Sequence, residues 1–188
     1  MLALDFVSTL RAGRSGLTDN LADPGALTAW ARSHADDLGL DPGFAATPEQ
    51  WSQVVELRQA VRALFARAVA PGPPSAADAA RLPPFDQALA RVNAAALAVP
   101  TAPRLAWDEA APTLTHVPVG PAEQALPARL AQAAMEFLAG PQAAELRACP
   151  APRCVLYFVK EHPRQEWCST ACGNRARAAR HYRAHKGE

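Results

Sequence analysis

RACPAPRCVLYFVKEHPRQEWCSTACGNR (residues 147–175) contains all four cysteines of this 188-residue chain. They follow the pattern C-x4-C-x13-C-x3-C, at Cys149, Cys154, Cys168 and Cys172. Two close pairs joined by a short loop suit a tetrahedral Zn²⁺ site, because each pair supplies one edge of the tetrahedron. The spacing therefore predicts one structural zinc ion held by these four cysteines.

The residues around the cysteines predict how this segment folds. VLYFV (155–159) is a strand candidate and KEHPRQE (160–166) a turn, which together favour a hairpin between the two cysteine pairs. Cys168 and Cys172 stand four residues apart where a helix begins, with Ser169 as its cap. Both sulfurs then lie near amides whose dipole favours thiolates. A knuckle, a hairpin and a helix that supplies the last ligands are typical of a treble-clef zinc finger.

Other interpretations of the cysteines stay open. Disulfide bonds need an oxidising compartment, and the start of the chain, MLALDFVSTLRAGRSG, lacks the pattern of a signal peptide. No stretch approaches the ~20 apolar residues of a membrane span. We therefore expect a cytoplasmic location and reduced thiols. Four buried cysteines without metal, or a redox switch that releases it, remain alternatives, whereas a catalytic zinc would need an open coordination position.

The charge of the chain is divided unevenly between its two parts. Residues 1–146 contain 10 Arg and 15 acidic residues, a net charge of −5, whereas residues 147–188 contain 9 Arg or Lys and 3 acidic residues, a net charge of +6. We expect a domain boundary near residue 146 and a polyanionic partner for the basic part. DNA or RNA would be such a partner, and specific DNA binding by a single finger would require a homodimer.

A basic helix is predicted directly after the last cysteine. Seven of the fourteen residues that follow Cys172 are Arg, His or Lys. Such a helix could lie along phosphates while one or two arginines read base edges. The alternatives are a solvated helix whose charge faces the acidic body, and a contact with another protein. The candidate nucleic-acid contacts are Arg175, Arg177, Arg180, Arg183 and Lys186.

Two histidines of this helix, His181 and His185, resemble a metal-binding pair. They follow Cys172 by more than two helical turns, which is beyond the reach of a site at the start of the helix. We therefore expect them to face solvent as members of the basic helix.

The first part of the chain carries clear helix signals. Asp23 and Thr47 are good N-caps, each followed by a proline that suits the first helical position. Gln50 completes a capping box with Thr47. Apolar residues then recur at helical spacing from Trp51 to Phe65. These signals predict a mostly helical body. The predicted fold class is therefore mainly α (α+β).

Smaller elements complete the expected body. Two short apolar–polar runs between Thr101 and Val119 flank a turn-like centre and predict a small β-hairpin. PQAAELRAC (141–149) predicts a last short helix that leads into Cys149. Residues 1–146 are thus expected to form a sensing or dimerisation domain, and residues 147–188 the zinc finger.

The body shows no catalytic pattern, and we expect no enzyme. A glycine-rich phosphate loop and an ordered Ser-His-Asp set are both missing from the sequence. Asp5 is the unusual polar residue, because it interrupts an apolar run. We expect it to cap a helix or to pair with an arginine such as Arg58 or Arg62, and a functional pocket is the further alternative. A small-molecule effector would suit a sensing body, but the residues do not identify it.

Trp167-Cys168-Ser169 followed by Cys172-Gly173-Asn174-Arg175 resembles the signature of the CGNR zinc-finger family. RACPAPRC, with YF shortly after its second cysteine, is similar to the first half of that finger. LALDFVSTL, LADPGALTAW and ELRQAVRALF resemble the ABATE domain that accompanies it. The resemblance implies a bacterial, stress-induced transcription regulator whose finger binds DNA. Ser8 departs from the usual asparagine of the early motif, and Lys160 stands where an acidic residue is common.

Structural roles are expected for the residues beside the zinc ligands. Gly173 would let the helix approach its surroundings closely, and Asn174 could hydrogen-bond a loop backbone and hold the first knuckle. Arg175 would offset the formal charge of −2 that four thiolates leave on a dication. We expect Trp167 to be an apolar lid on the finger, with base stacking as the alternative.

Overall fold

A computed structural model of the chain describes residues 1–12, 16–78, 82–107, 111–120 and 124–185. Its helices are α1 (Leu2–Val7), α2 (Pro24–Ser33), α3 (Ala35–Leu38), α4 (Pro48–Ala68), α5 (Phe85–Ala98), α6 (Ala125–Ala139), a 3₁₀ turn (Pro141–Glu145) and α7 (Thr170–His185). Its strands are β1 (Leu10–Ala12), β2 (Leu17–Asp19), β3 (Thr101–Trp107), β4 (Pro112–Pro118), β5 (Leu146–Ala148) and β6 (Tyr157–Val159). They pair as antiparallel hairpins, β1 with β2, β3 with β4 and β5 with β6.

The central helix of the body, α4, begins as predicted. The Thr47 hydroxyl accepts a hydrogen bond from the amide of Gln50, whose side chain accepts one from the amide of Thr47. This capping box satisfies two amides that the first helical turn leaves free. The apolar face of α4 is buried against α1, α5 and α6. Asp23 likewise caps α2, so the predicted helical body is confirmed.

The hairpin predicted between Thr101 and Val119 is present as β3 and β4. The two strands are in register from Thr101 opposite Pro118 to Trp107 opposite Pro112. No described helix combines the length and the apolar character that a membrane span requires.

Two arginines of α4 are fully buried, and the predicted pairing of Asp5 with either of them is wrong. Arg58 forms a 2.5 Å ion pair with Asp19, and Arg62 a 2.7 Å ion pair with Asp78. Asp5 instead contacts the N-terminal amine at 3.0 Å. The reason is burial: an interior guanidinium needs a carboxylate that faces the interior, whereas Asp5 lies on the exposed side of α1.

The segment that leads into the first cysteine differs from its prediction. It forms the 3₁₀ turn and then strand β5, rather than one helix up to Cys149. Leu146 at the start of β5 is completely buried in the body, so the extended backbone is favoured by packing. The partner of β6 is β5. The hairpin therefore encloses the first cysteine pair, whereas the sequence analysis predicted a hairpin between the two pairs.

Strand β6 lies between two hydrophobic cores and contributes side chains to both. Tyr157 is buried among the helices of the body, in the large core that also includes Leu146. Its neighbour Phe158 points to the opposite face, as strand geometry demands, and enters the small core of the finger. That small core consists of Cys149, Ala151, Cys154, Phe158, Cys172 and Ala176, with Trp167 packed against it.

Candidate metal centre and basic helix

The four cysteine sulfurs converge on one point. All four Sγ atoms lie within 4.8 Å of one another. Cys168 Sγ is 3.7 Å from that of Cys154 and 3.5 Å from that of Cys172. A tetrahedron with Zn–S bonds of about 2.3 Å places its sulfurs about 3.8 Å apart, whereas a disulfide needs about 2.05 Å. The cysteines are free thiols whose geometry fits one zinc ion, as predicted.

The first pair lies in a tight knuckle between β5 and β6. The Cys149 amide donates to the carbonyl of Leu156, and the Cys154 amide donates to the carbonyl of Ala151, both at 2.9 Å. Arg153 has a left-handed backbone with φ of 62°. This conformation is unusual for a residue with a Cβ, and here it turns the chain so that Cys154 returns toward Cys149.

The second pair is positioned by the start of α7. The Ser169 hydroxyl accepts a hydrogen bond from the Cys172 amide at 3.3 Å, so the predicted cap is confirmed. The Cys168 amide donates to the sulfur of Cys149 at 3.5 Å and links the two pairs. Backbone donors at a helix start favour negative charge, so this geometry supports thiolate ligands.

Mutual contacts shift the pKa values of Cys149, Cys154 and Cys168 in different directions. Hydrogen bonds with Cys154 and Cys168 lower the pKa of Cys149 to about 2. The contact with Cys149 raises the pKa of Cys154 to about 11 and also raises the pKa of Cys168. The contacts thus favour the thiolate of Cys149 and oppose ionisation of Cys154 and Cys168, because the sulfurs are crowded. A dication at the centre would supply the charge that lets all four ionise.

Two residues of the Cys-Gly-Asn-Arg string contact different partners. Arg175 Nη2 donates to the sulfur of Cys172 at 3.0 Å, as expected for a cation that offsets thiolate charge, and this bond raises the pKa of Arg175. The prediction that the side chain of Asn174 holds the first knuckle is wrong. Its oxygen accepts a 2.5 Å hydrogen bond from Arg177, because Asn174 lies on the exposed face of α7.

Trp167 lies between the small core and the basic helix. One side of the ring packs against the finger, as predicted for a lid. A Cβ on Gly173 would lie 3.1 Å from Trp167 Cε3, so the glycine permits the close approach. The guanidinium carbons of Arg177 and Arg180 lie 5.9 and 6.0 Å from the ring centroid. The ring therefore also contacts two arginines and orders their side chains. These contacts were not predicted from the sequence.

The candidate nucleic-acid contacts lie along the outside of α7. Arg175, Arg177, Arg180 and Arg183 are exposed, while Lys186 lies outside the described residues. No described carboxylate lies within 4.0 Å of these four guanidiniums. The predicted histidine pair is exposed and stacked, with ring centroids 4.1 Å apart, and does not join the cysteine cluster.

A buried polar network connecting finger and body was missed by the sequence analysis. The carbonyl of Val155 accepts hydrogen bonds from Arg62 Nη2 at 3.0 Å and from Ser75 Oγ at 2.8 Å. The Tyr157 hydroxyl donates to Asp78 at 2.7 Å, and Asp78 pairs with Arg62. The one sign of this network in the sequence was an arginine, Arg62, within the apolar face of a predicted helix. The residues near Arg62 in the sequence do not identify its partners, which lie up to 93 residues away.

Comparison with known families agrees with these two parts. Residues 1–141 match the ABATE family, described as "Putative stress-induced transcription regulator". Residues 145–185 match the CGNR zinc finger. No curated protein matches the chain. The chain therefore belongs to the ABATE family and carries a CGNR zinc finger with a site for one zinc ion.

Proposed function

We propose that this protein regulates transcription by binding DNA through the exposed basic part of α7. The observation that carries the proposal is the row formed by Arg177, Arg180 and Arg183. These residues are spaced by three along the helix and therefore follow one side of it. They are exposed and have no described carboxylate within 4.0 Å, so their charge is available to phosphates.

The contacts of Trp167 support this use of the arginines. A cation beside an aromatic face is stabilised by about 0.5–1 kcal/mol at exposed sites. Arg177 and Arg180 share one ring, and Arg177 is also bound to Asn174. Side chains that are ordered in advance lose less conformational entropy when they bind. This arrangement favours phosphate contact over a freely solvated helix.

The zinc ion would act structurally in this proposal. It would tie the start of α7 to the knuckle and so fix the direction in which the helix leaves the finger. Arg175 is engaged by the sulfur of Cys172, so its charge serves the metal site first. We therefore assign DNA contact mainly to Arg177, Arg180 and Arg183, with Arg175 in a supporting position.

The rest of the proposal concerns the body. We assign it a sensing or dimerisation role, without an enzymatic activity, in a bacterial stress response in the cytoplasm. The competing function is a zinc-stabilised module that binds an acidic protein and no nucleic acid. Both functions use the same helix, so the choice depends on the partner.

The deciding experiment measures binding of the zinc-loaded protein to a mixed-sequence DNA duplex across a salt series. The logarithm of the affinity should fall linearly with the logarithm of salt, because each phosphate contact releases about 0.9 counterions. Replacing Arg177, Arg180 and Arg183 together by Ala should weaken binding at least about tenfold. It should also reduce the slope by up to about 3.

The matched control replaces three exposed arginines of the body, Arg32, Arg67 and Arg104, by Ala. It removes the same charge, so it should leave the slope nearly unchanged if binding is local to α7. Absent or salt-insensitive binding would contradict DNA binding and favour the protein-interaction module. Equal effects of the two triple variants would show that only net charge matters.

A further inference from the structure

The hairpin of β3 and β4 carries the most exposed cluster of large apolar side chains in the described chain. Leu105, Trp107 and Leu114 are 62%, 75% and 64% exposed. Leu105 lies directly opposite Leu114 in the register, and Trp107 lies opposite Pro112. The three side chains therefore share one face of the hairpin.

The hydrogen-bond pattern shows what else lies on that face. The Val119 amide donates to the carbonyl of Pro100 at 2.8 Å, which makes this the first hydrogen-bonded pair of the ladder. Hydrogen-bonded and non-hydrogen-bonded pairs alternate, so the pairs of the apolar face are non-hydrogen-bonded and their side chains lie close together. The same face contains Pro103, Leu105, Trp107, Pro112, Leu114 and His116.

This face has no cover within the described chain. Among the described elements, no third helix or strand packs extensively against β3 or β4. An isolated two-stranded hairpin is marginally stable in water, so a covering layer is expected. A fully exposed tryptophan offers about 250 Å² and a leucine somewhat less, so at their exposed fractions the three large side chains expose roughly 400 Å². The exposed residues Pro103, Pro112 and His116 bring the whole face to roughly 600 Å². That area is at the upper end for patches on monomers, where larger patches mark interaction sites.

The prolines of the hairpin restrict how it can be covered. Residues of non-hydrogen-bonded pairs direct their backbone nitrogens to the free edges. Pro103, Pro112 and Pro118 occupy such positions and have no N–H to offer. Addition of a further strand at either edge is therefore disfavoured. A partner is expected to pack on the face instead.

The charge pattern of the face suits a second copy of this chain as that partner. A two-fold axis brings each residue near its own counterpart, so a charged residue on the face would repel itself. Within the described residues of the hairpin, the apolar face has no Asp, Glu, Lys or Arg, whereas Arg104 lies on the opposite face. Two such faces bury roughly 1,200 Å² in total, which reaches the lower limit of specific interfaces.

We propose that the protein forms a homodimer through face-to-face packing of its β3–β4 hairpins. The inference stands on the hairpin alone and does not depend on DNA binding. If both proposals hold, each dimer presents two basic helices, which suits DNA with two half-sites.

The test is the mass of the zinc-loaded full chain in solution, measured by sedimentation equilibrium from about 1 to 100 µM, the range of moderate affinities. The expected mass is twice the 19.9 kDa of one chain. Leu114→Glu should raise the dissociation constant at least about 30-fold, because two carboxylates would meet near the axis. Trp107→Ser should weaken the dimer comparably through loss of its largest apolar contact.

Thr113→Glu is the matched control, since it adds the same charge to the adjacent residue on the opposite face. It should leave the dissociation constant unchanged. Far-UV circular dichroism establishes that each variant is folded. A monomer at every concentration would overturn the proposal. So would a dimer that resists both Leu114→Glu and Trp107→Ser, or one that Thr113→Glu dissociates equally well.

Discussion

Arg62 joins two distant parts of the chain through the hydrogen bonds of its guanidinium group. It is 0% exposed, and its partners are the carbonyls of Val7 and Val155 together with Ser75 and Asp78. A buried guanidinium costs several kcal/mol unless its charge and its donors are satisfied. The number of partners explains why an arginine is stable at a position where the apolar pattern of α4 predicts a hydrophobic residue.

Tyr157 extends this network and supplies a prediction at the residue scale. Its hydroxyl donates to Asp78 at 2.7 Å and accepts from the Ser75 amide at 3.3 Å. Tyr157→Phe should lower the free energy of unfolding by about 2 kcal/mol, because a hydrogen bond to a charged group is lost in the interior. Urea unfolding of the zinc-loaded protein at neutral pH measures this change.

The pH dependence of that difference has a defined sign. Burial and the neighbouring Asp78 raise the pKa of Tyr157 well above its value of about 10 in an unfolded chain. The neutral phenol is therefore favoured by the fold, and its stabilisation is complete below pH ~10 and is lost progressively as the pH rises above ~10. The difference between wild type and Tyr157→Phe should shrink by about 1.4 kcal/mol per pH unit above ~10.

Tyr182→Phe is the control for both measurements, because Tyr182 is 65% exposed on α7. It should change the free energy of unfolding by less than about 0.5 kcal/mol. An equal loss in the two variants, or a Tyr157→Phe difference that grows above pH ~10, would contradict the role assigned to the phenol.

At the scale of the element, α7 has two halves with different surroundings. Cys172, Gly173 and Ala176 are buried against the finger, whereas the residues from Arg180 to His185 are all exposed. At 1.5 Å per residue, the exposed end is about 9 Å long. The first half therefore anchors the helix and the second half is available to a partner.

Gly173→Val should disturb both halves. Its Cβ would lie 3.1 Å from Trp167 Cε3 and 3.5 Å from Arg177 Nη1, and its methyl groups would approach further. We expect the free energy of unfolding to fall by about 1–3 kcal/mol through overpacking. The tryptophan emission should shift as the ring leaves its place, and DNA affinity should fall with it.

Ala171→Val adds the same two methyl groups on the exposed side of the same helix turn. Its stability and emission should stay close to those of the wild type. If Gly173→Val behaved like Ala171→Val, the close packing of Trp167 on the glycine would not constrain the finger.

Local signals were sufficient to predict some elements and not others. Thr47 with Gln50, Asp23 and Ser169 act within one helical turn, so their caps were correctly predicted. The four cysteine ligands were likewise encoded by spacing. The pairing of β6 with β5 was missed because it depends on Leu146 and Tyr157 entering a core formed by distant helices. The partner of Asp5 was mispredicted for the same reason: burial on α4 decides which carboxylates Arg58 and Arg62 receive.

At the scale of the whole molecule, the two cores differ greatly in size. Among the described residues, the finger core has six buried members, of which three are zinc ligands, whereas the body core draws on α1 to α6. A core that small does not stabilise a fold by itself, so the finger should depend on its metal. The body should keep its helices without it.

Chelation of zinc tests this difference. Far-UV circular dichroism should lose helical signal corresponding to about the 16 residues of α7, while a cooperative thermal transition of the body remains. That transition should move to lower temperature, because the strand shared by the two cores loses its support on one side. Elemental analysis confirms that the metal has been removed.

Re-addition of Zn²⁺ should restore the lost signal, and Mg²⁺, which prefers oxygen ligands, should not. An unchanged spectrum after complete chelation would mean that the finger is stable without metal. Collapse of the whole spectrum would mean that the body depends on the metal as well.

The network around Val155 has a consequence for protein engineering. Fingers are often treated as cassettes that can be exchanged between proteins, but here the carbonyl of Val155 and the phenol of Tyr157 are received by side chains of the body. A chimaera built from residues 145–185 alone would leave these groups without their partners. A functional transplant must therefore bring along α4 and the turn from Ser75 to Asp78. The portable unit is larger than the segment that holds the metal.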